Sequence, residues 1–311
     1  MFRFTPAVIL IALLGAFLAV PAQAVQRAYV SMNGNDANTA SGCPSTAPCR
    51  WFSTAVTVVD PNGELVVLDS GAYGTFIISQ SITISAAPGV YAGITVFSGN
   101  GITIDTAGIN VTLRGLTING LGGSAGVKIT NAASVSIENC VFANFSADQA
   151  AGIFVIGSIP VRIIDTVVRN NFIGIALQGG ATADINGSRL LGNSVAGIYA
   201  YNVATNTTSA TLGNSLITGG AYGVVAMSNA AGAAVKISLI RTTLSNSSYG
   251  ALAQSNAGTA LIALSGSLVT GNATAGLRQV GAGATLKSLG NNTVTENGTN
   301  VSGTITNVAP L

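Results

Sequence analysis

One short unit returns seven times along this chain: a glycine followed by an apolar residue, any residue, and usually a second apolar residue. The copies are Gly126-Val127-Lys128-Ile129, Gly152-Ile153-Phe154-Val155, Gly174-Ile175-Ala176-Leu177, Gly197-Ile198-Tyr199-Ala200, Gly223-Val224-Val225-Ala226, Gly250-Ala251-Leu252-Ala253 and Gly276-Leu277-Arg278-Gln279. Their spacings are 26, 22, 23, 26, 27 and 26 residues. A second alternating unit lies inside each period, as in Ile137-Glu138-Asn139-Cys140-Val141-Phe142 and Ile163-Ile164-Asp165-Thr166-Val167-Val168. Short alternating runs joined by Gly and Asn are strands joined by tight turns. The period is too short for helical repeats, and the regular leucine spacing of leucine-rich repeats is missing. The predicted fold is therefore all-β: a right-handed parallel β-helix. At about 25 residues per coil, residues 61–311 make roughly nine to ten coils.

The composition follows from stacking. Equivalent residues of successive coils stand about 4.8 Å apart. Like charges in one column would repel, inward positions must be aliphatic or small, and turns need Gly or Asn. The chain is 48% hydrophobic but only 6% aromatic and 7% charged, with 39 glycines and no histidine. The 12 Lys and Arg against 10 Asp and Glu leave a net charge of +2, too small for nucleic-acid binding. The missing histidine removes Ser-His-Asp chemistry and His-ligated metals.

Two columns test the alignment. Cys140 heads the series Thr166, Ser188, Ser215, Thr242 and Ser267, a predicted ladder of small side chains at a bend in the wall. Asn171, Asn193, Asn272 and Asn297 form another, able to saturate turn backbone. Asn272-Ala273-Thr274 and Asn297-Gly298-Thr299 also read as glycosylation sequons, but the ladder is the better reading.

The chain opens with Arg3, an apolar run over Val8–Val20 and Ala22-Gln23-Ala24, the pattern of a cleaved secretory signal over residues 1–24. The run is short for a membrane span, and no later stretch is long enough. The expected location is extracellular or periplasmic, where disulfides form. Cys43 and Cys49 flank a proline-stiffened loop and are expected to pair. Residues 25–60 read as an N-terminal cap region, with Trp51–Val59 as an apolar plug or short helix. Glu64–Leu68 begins the first coil, and Gly71-Ala72-Tyr73-Gly74 turns it.

The chain resembles secreted bacterial right-handed β-helix proteins of the pectate-lyase-like superfamily. The resemblance rests on Tyr29-Val30-Ser31-Met32-Asn33-Gly34-Asn35-Asp36, Pro48-Cys49-Arg50, Leu113-Arg114-Gly115-Leu116-Thr117-Ile118 and Val135-Ser136-Ile137-Glu138-Asn139-Cys140. It implies a superfamily holding lyases, hydrolases, epimerases, adhesins and non-catalytic members, so the fold leaves the function open.

Hydrolysis by a carboxylate pair finds no support: the residues before the repeated glycines are Ala151, Ile173, Ala196, Tyr222, Tyr249 and Ala275. A polysaccharide lyase with an atypical site would need acidic residues around Ca²⁺ and a basic residue at the sugar. Arg114 with Glu138, and Arg162 with Asp184, are instead expected to pair across coils. Asp165 extends a polar column beside Asn139, and Asp148 is the freest carboxylate. No metal site and no cofactor are expected, Ca²⁺ entering only with a lyase. A binding surface has more support. Alternation turns Phe154, Ile156, Tyr199, Tyr201, Val225, Met227 and Leu252 outward, flanked by Lys128 and Arg278. Phe154, Tyr199, Tyr201, Met227, Lys128 and Arg278 are the candidate binding residues, and a polysaccharide the candidate partner; loops from the longer turns covering this face, or another protomer joined to it, would account for the same row. The expected function is a non-catalytic, polysaccharide-contacting or structural protein, with a lyase or a glycan-independent adhesive protein as alternatives.

Overall fold

The computed structural model describes residues 25–308; the expected signal segment, residues 1–24, lies outside them. The chain winds into a parallel β-solenoid of about nine turns. Each coil contributes one strand to each of three rows. The first row carries the repeated glycines: Asn100–Asp105, Ala125–Asn131, Ala151–Ile156, Ile173–Gln178, Ala196–Asn202 and Ala275–Val280. The second holds Asn110–Arg114, Ser134–Glu138, Pro160–Ile164, Thr182–Asn186, Thr207–Gly213 and Ala284–Ser288. Two long strands, Tyr222–Ile240 and Tyr249–Ser265, run through both rows and join them into one 20-stranded sheet. The third row is a separate ten-stranded sheet. Every pairing is parallel and joins a residue to its counterpart one coil away, as in Val127↔Ile153 and Ile153↔Ile175.

The interior is a set of aliphatic columns. Ile102, Val127, Ile153, Ile175, Ile198, Val224, Ala251 and Leu277 are stacked in register and fully buried. Each large member contributes about 1.5–3 kcal/mol by leaving water. The glycine beside this column is required by close approach rather than by its dihedral. A Cβ on Gly223 would stand 2.4 Å from the carbonyl oxygen of Gly250; on Gly174 it would stand 2.5 Å from that of Gly197. The same collision with the next coil's carbonyl recurs from Gly101 to Gly250. The obstacle is backbone, so no side-chain adjustment relieves it.

The corner between the second and third rows is turned by one left-handed residue per coil. Gly115, Asn139, Asp165, Gly187, Asn214, Arg241 and Gly266 have φ between 48° and 72°. Glycine, asparagine and aspartate tolerate this region best. Immediately after it comes the predicted ladder. The backbone N–H of Cys140 donates to Thr166 Oγ1 (3.4 Å), that of Thr166 to Ser188 Oγ (3.2 Å), and that of Ser188 to Ser215 Oγ (3.2 Å). Thr242 N–H donates to Ser267 Oγ (3.2 Å) and Ser267 N–H to Asn292 Oδ1 (2.9 Å). Cys140 is buried and unpaired, and burial pushes its thiol up to about 12, so it stays protonated.

The asparagine ladder forms in two pieces. Asn171 accepts from Phe145 N–H (3.0 Å), and its own amide donates to Asn193 (2.9 Å). Asn272 accepts from Ser247 N–H (3.1 Å) and donates to Asn297 (2.8 Å). Gly220 and Ser247 occupy the column between the pieces. Asn272 is fully buried with its amide committed, which favours the ladder over the sequon.

Strand Arg27–Val30 pairs in parallel with Gly63–Val67. Cys43 and Cys49 form a disulfide with their Cα atoms 5.2 Å apart. The stretch expected as an apolar plug or short helix over Trp51–Val59 buries Phe52, Ala55, Val56 and Val59 in the core. Its helix is Phe52–Ala55, whose Phe52 ring packs against Tyr73 and Phe76, while Trp51 points to solvent under the guanidinium of Arg50. Gly71–Ala72, expected as a turn, is a strand of the third row: paired with Ala92–Gly93, it uses its backbone as a rung rather than a corner. Asp69 ties this region together by accepting from Ser31 Oγ, Met32 N–H and the Tyr73 hydroxyl. Burial raises its pKa, but these hydrogen bonds and Arg50 outweigh that and hold it below the usual carboxylate value.

Candidate functional site: an aromatic groove on the first row

The outward face of the first row is built from columns that the register defines. Lys128, Phe154, Ala176, Tyr199, Val225, Leu252 and Arg278 stand one behind another in successive coils. The next column holds Ile156, Gln178, Tyr201, Met227, Gln254 and Val280. All six candidate binding residues therefore share one face, in two adjacent columns.

The face is not uniform. Ala176 is the small member between Phe154 and Tyr199, and the missing bulk leaves a groove of about 360 Å³. Phe154, Tyr199 and Tyr201 line it, with Gln178 from the strand floor and Phe172, Val195 and Gln149 from turns leading into the first row. Gln178 Nε2 donates to the Tyr201 hydroxyl (3.0 Å), which fixes both groups. The two tyrosine rings lie 6.0 Å apart, tilted by 59°. Burial, together with Tyr201 and Tyr222, raises the pKa of Tyr199, so its hydroxyl stays protonated at neutral pH.

Met227, Lys128 and Arg278 do not line the groove. Met227 lies beneath the Tyr199 hydroxyl, with its sulfur 3.3 Å from the oxygen. Lys128 is one coil beyond Phe154. Arg278 lies at the far end, 4.9 Å above the Tyr249 ring, which itself stacks on Tyr222 at 5.3 Å. Val225 and Leu252 correct the expectation of an open apolar stripe. They are 0% and 4% exposed and form a small outer cluster with Ala196, against which Tyr199, Tyr222, Met227 and Val280 pack. Alternation points them outward, but longer neighbours fold over them. Sequence reasoning missed Phe172, Gln149 and Gln178. For Phe172 a signal existed: it precedes Gly174 by two residues, where Val195 precedes Gly197.

The charged residues considered for catalysis are dispersed. Arg114 donates to Glu138 Oε2 from Nε (3.0 Å) and Nη2 (2.8 Å), and Ser136 donates to Oε1, so the first predicted pair forms. Burial raises the pKa of Glu138, but Ser136, Arg114 and the charge of Arg162 outweigh it and lower it. The second predicted pair does not form: Arg162 and Asp184 are in register, yet no ion pair joins them among the described residues. Register places the two residues in one column but does not bring their charged ends within ion-pair distance. Asp165 occupies a left-handed corner with φ 48°. Glu138, Asp165 and Asp184 do not converge, and no group of three or more acidic or cysteine side chains among the described residues is placed to hold a metal ion.

Residues 100–298, more than half of the chain, match the family described as the right handed beta helix region. The chain belongs to this family of right-handed parallel β-helices. Among solved structures it is similar to the pectate lyase Pel9A, with 15% identity, a TM-score of 0.62, and coverage of 89% of this chain and 80% of that one. A rhamnogalacturonan lyase aligns with 12% identity, a TM-score of 0.49 and 83% coverage of both chains. The PL6 family alginate lyase AlyGC aligns with 15% identity and a TM-score of 0.43, over 79% of this chain and 38% of its own length. At these identities the likeness shows the fold alone. No curated protein sequence matches the chain. Among the described residues, no helix is long and apolar enough to cross a membrane.

Proposed function

We propose that this protein is an exported β-helix that binds polysaccharide through the first-row groove without cleaving it. The observation that carries the reading is the set of Phe154, Tyr199 and Tyr201 around the Ala176 gap, with Gln178 and Tyr201 hydrogen-bonded beside them. Aromatic rings offer apolar faces to the C–H faces of sugars, and their polar tips meet hydroxyls. Such a site, concave and mostly apolar with a few fixed polar groups, is the common form of a ligand site. The Cys43–Cys49 disulfide supports export. The lyase names of the structural neighbours support a polysaccharide partner. The dispersal of Glu138, Asp165 and Asp184 supports binding over β-elimination.

The test is a glycan array with the native protein and Tyr199→Ala and Tyr201→Ala variants. Binding that drops about tenfold or more in the variants is the expected result. Binding unchanged by both substitutions rejects the groove. A parallel assay on pectate and alginate with Ca²⁺, following the ultraviolet absorbance of unsaturated product, is expected to stay flat. Product that appears at a sustained rate would establish the lyase alternative.

A further inference from the structure

We infer that the groove is built for an uncharged glycan and discriminates against uronate polymers. This rests on the reading of the groove as a glycan site and goes further by naming the class of sugar.

The residues that line the groove are aromatic, aliphatic or amide; none carries a charge. A polymer with a carboxylate on each sugar needs a guanidinium, an ammonium or a bridging cation to replace the water it loses. The cations of this face are displaced from the groove. Lys128 is one register step beyond Phe154, about 5 Å along the stack, and is not part of the groove lining. Arg278 is three steps from Tyr199, about 14 Å, and stacked on Tyr249. The charge beside the groove is negative: Asp148, whose carboxylate accepts from the Nε2 of the groove residue Gln149 at 3.5 Å. A bridging divalent ion would need more acidic ligands, and none gather among the described residues. An anionic sugar would thus lose hydration, find no counter-charge among the lining residues and face a carboxylate beside Gln149.

A neutral sugar meets the opposite conditions. Tyr201 and Gln178 are locked to each other, leaving the Gln178 carbonyl free to accept and the Tyr201 hydroxyl free to donate. Phe154 and Tyr199 stand two coils apart, about 10 Å, the length of a disaccharide laid along the stack. Fixed amides and phenols match hydroxyls, and rings match unsubstituted pyranose faces.

The experiment is titration calorimetry of the full chain with neutral hexaoses (β-1,4-glucan, β-1,4-mannan, β-1,4-galactan) and with hexamers of galacturonate and mannuronate. Each is measured at about 0.05 M and 0.5 M NaCl, which separates screened charge contacts from apolar ones. The expected result is that at least one neutral hexaose binds with an affinity that salt changes less than about twofold. It should lose about tenfold in Tyr199→Ala and in Tyr201→Ala, and uronate hexamers should bind at least about tenfold more weakly. Asp148→Asn should narrow that gap by a few fold and leave neutral binding unchanged. A uronate hexamer that binds more tightly than every neutral one, and loses affinity in the tyrosine variants, overturns the inference and leaves the glycan site standing. No binding by any hexamer, or binding indifferent to both tyrosines, overturns the site and the inference together.

Discussion

The outward faces of the first and second rows are adjacent, share one backbone and cover one core, yet one is lined by rings and the other by small hydroxyls. The second-row face is the larger depression, about 490 Å³, lined by small residues such as Thr112, Ser136, Thr182 and Thr211, with Arg162 and Asp184 among them. The first-row groove is smaller but holds four rings, those of Phe154, Phe172, Tyr199 and Tyr201. Size favours the second row and chemistry the first. Hydroxyls on an open sheet stay hydrated and offer little apolar area to a ligand, whereas each ring can withdraw a large one from water. In a solenoid the core fixes where a residue stands, while outward positions are free to differ.

The largest effect on both faces comes from disturbing the wall they share. Gly223→Ala places a Cβ against the Gly250 carbonyl oxygen. It is expected to cost about 3 kcal/mol or more and to abolish both faces, read as loss of the cooperative far-ultraviolet melt. A native melting curve would show that the close approach is not required.

Asn272→Ala comes next. It strips Ser247 N–H of its acceptor and empties a buried amide position, at about 1–3 kcal/mol in chemical denaturation. Glycan binding should survive at temperatures where the protein stays folded.

Ala176→Phe acts on the first-row face alone. The added ring fills the first-row gap, so binding should fall about tenfold or more with the fold retained, checked by calorimetry and circular dichroism. The matching change on the other face, Thr211→Ala, should leave binding within about twofold. If Thr211→Ala weakens binding and Ala176→Phe does not, the two faces have been assigned the wrong way round.

The smallest effect is electrostatic and belongs to the second row. The folded Glu138 pKa is depressed, so its stabilisation is present above the unfolded value near 4.5 and is lost as pH falls through the lower folded value. Because Arg114 is half exposed, the effect should be no more than about 1 kcal/mol. Glu138→Gln should flatten that part of the stability profile below about pH 4.5, measured by denaturant titration.

Several elements were legible in the residues because a repeat writes its own alignment. The repeat alone puts Cys140 in one column with Thr166 and Ser188, and the backbone bonds follow that column. The Arg114–Glu138 pair was legible from one register step of the repeat, and the Cys43–Cys49 bridge from the shortness of its loop. Arg162 and Asp184 shared a register equally well and did not pair, because a column gives the position of a residue but not where the end of a long side chain lies. Val225 and Leu252 point outward as alternation requires, yet Tyr199, Tyr222 and Met227 pack over them.

The period and alternation, by themselves, determined the coil, the inward columns, the low charge and the face on which the aromatic residues stand, since all follow from stacking like on like every 4.8 Å or so. Only the tertiary structure decided that this face is a groove rather than a stripe. That depends on Ala176 leaving a gap and on Phe172, Val195 and Gln149 arriving from turns of unequal length. Volume left between neighbours is a property of three coils packed together, and no single repeat contains it.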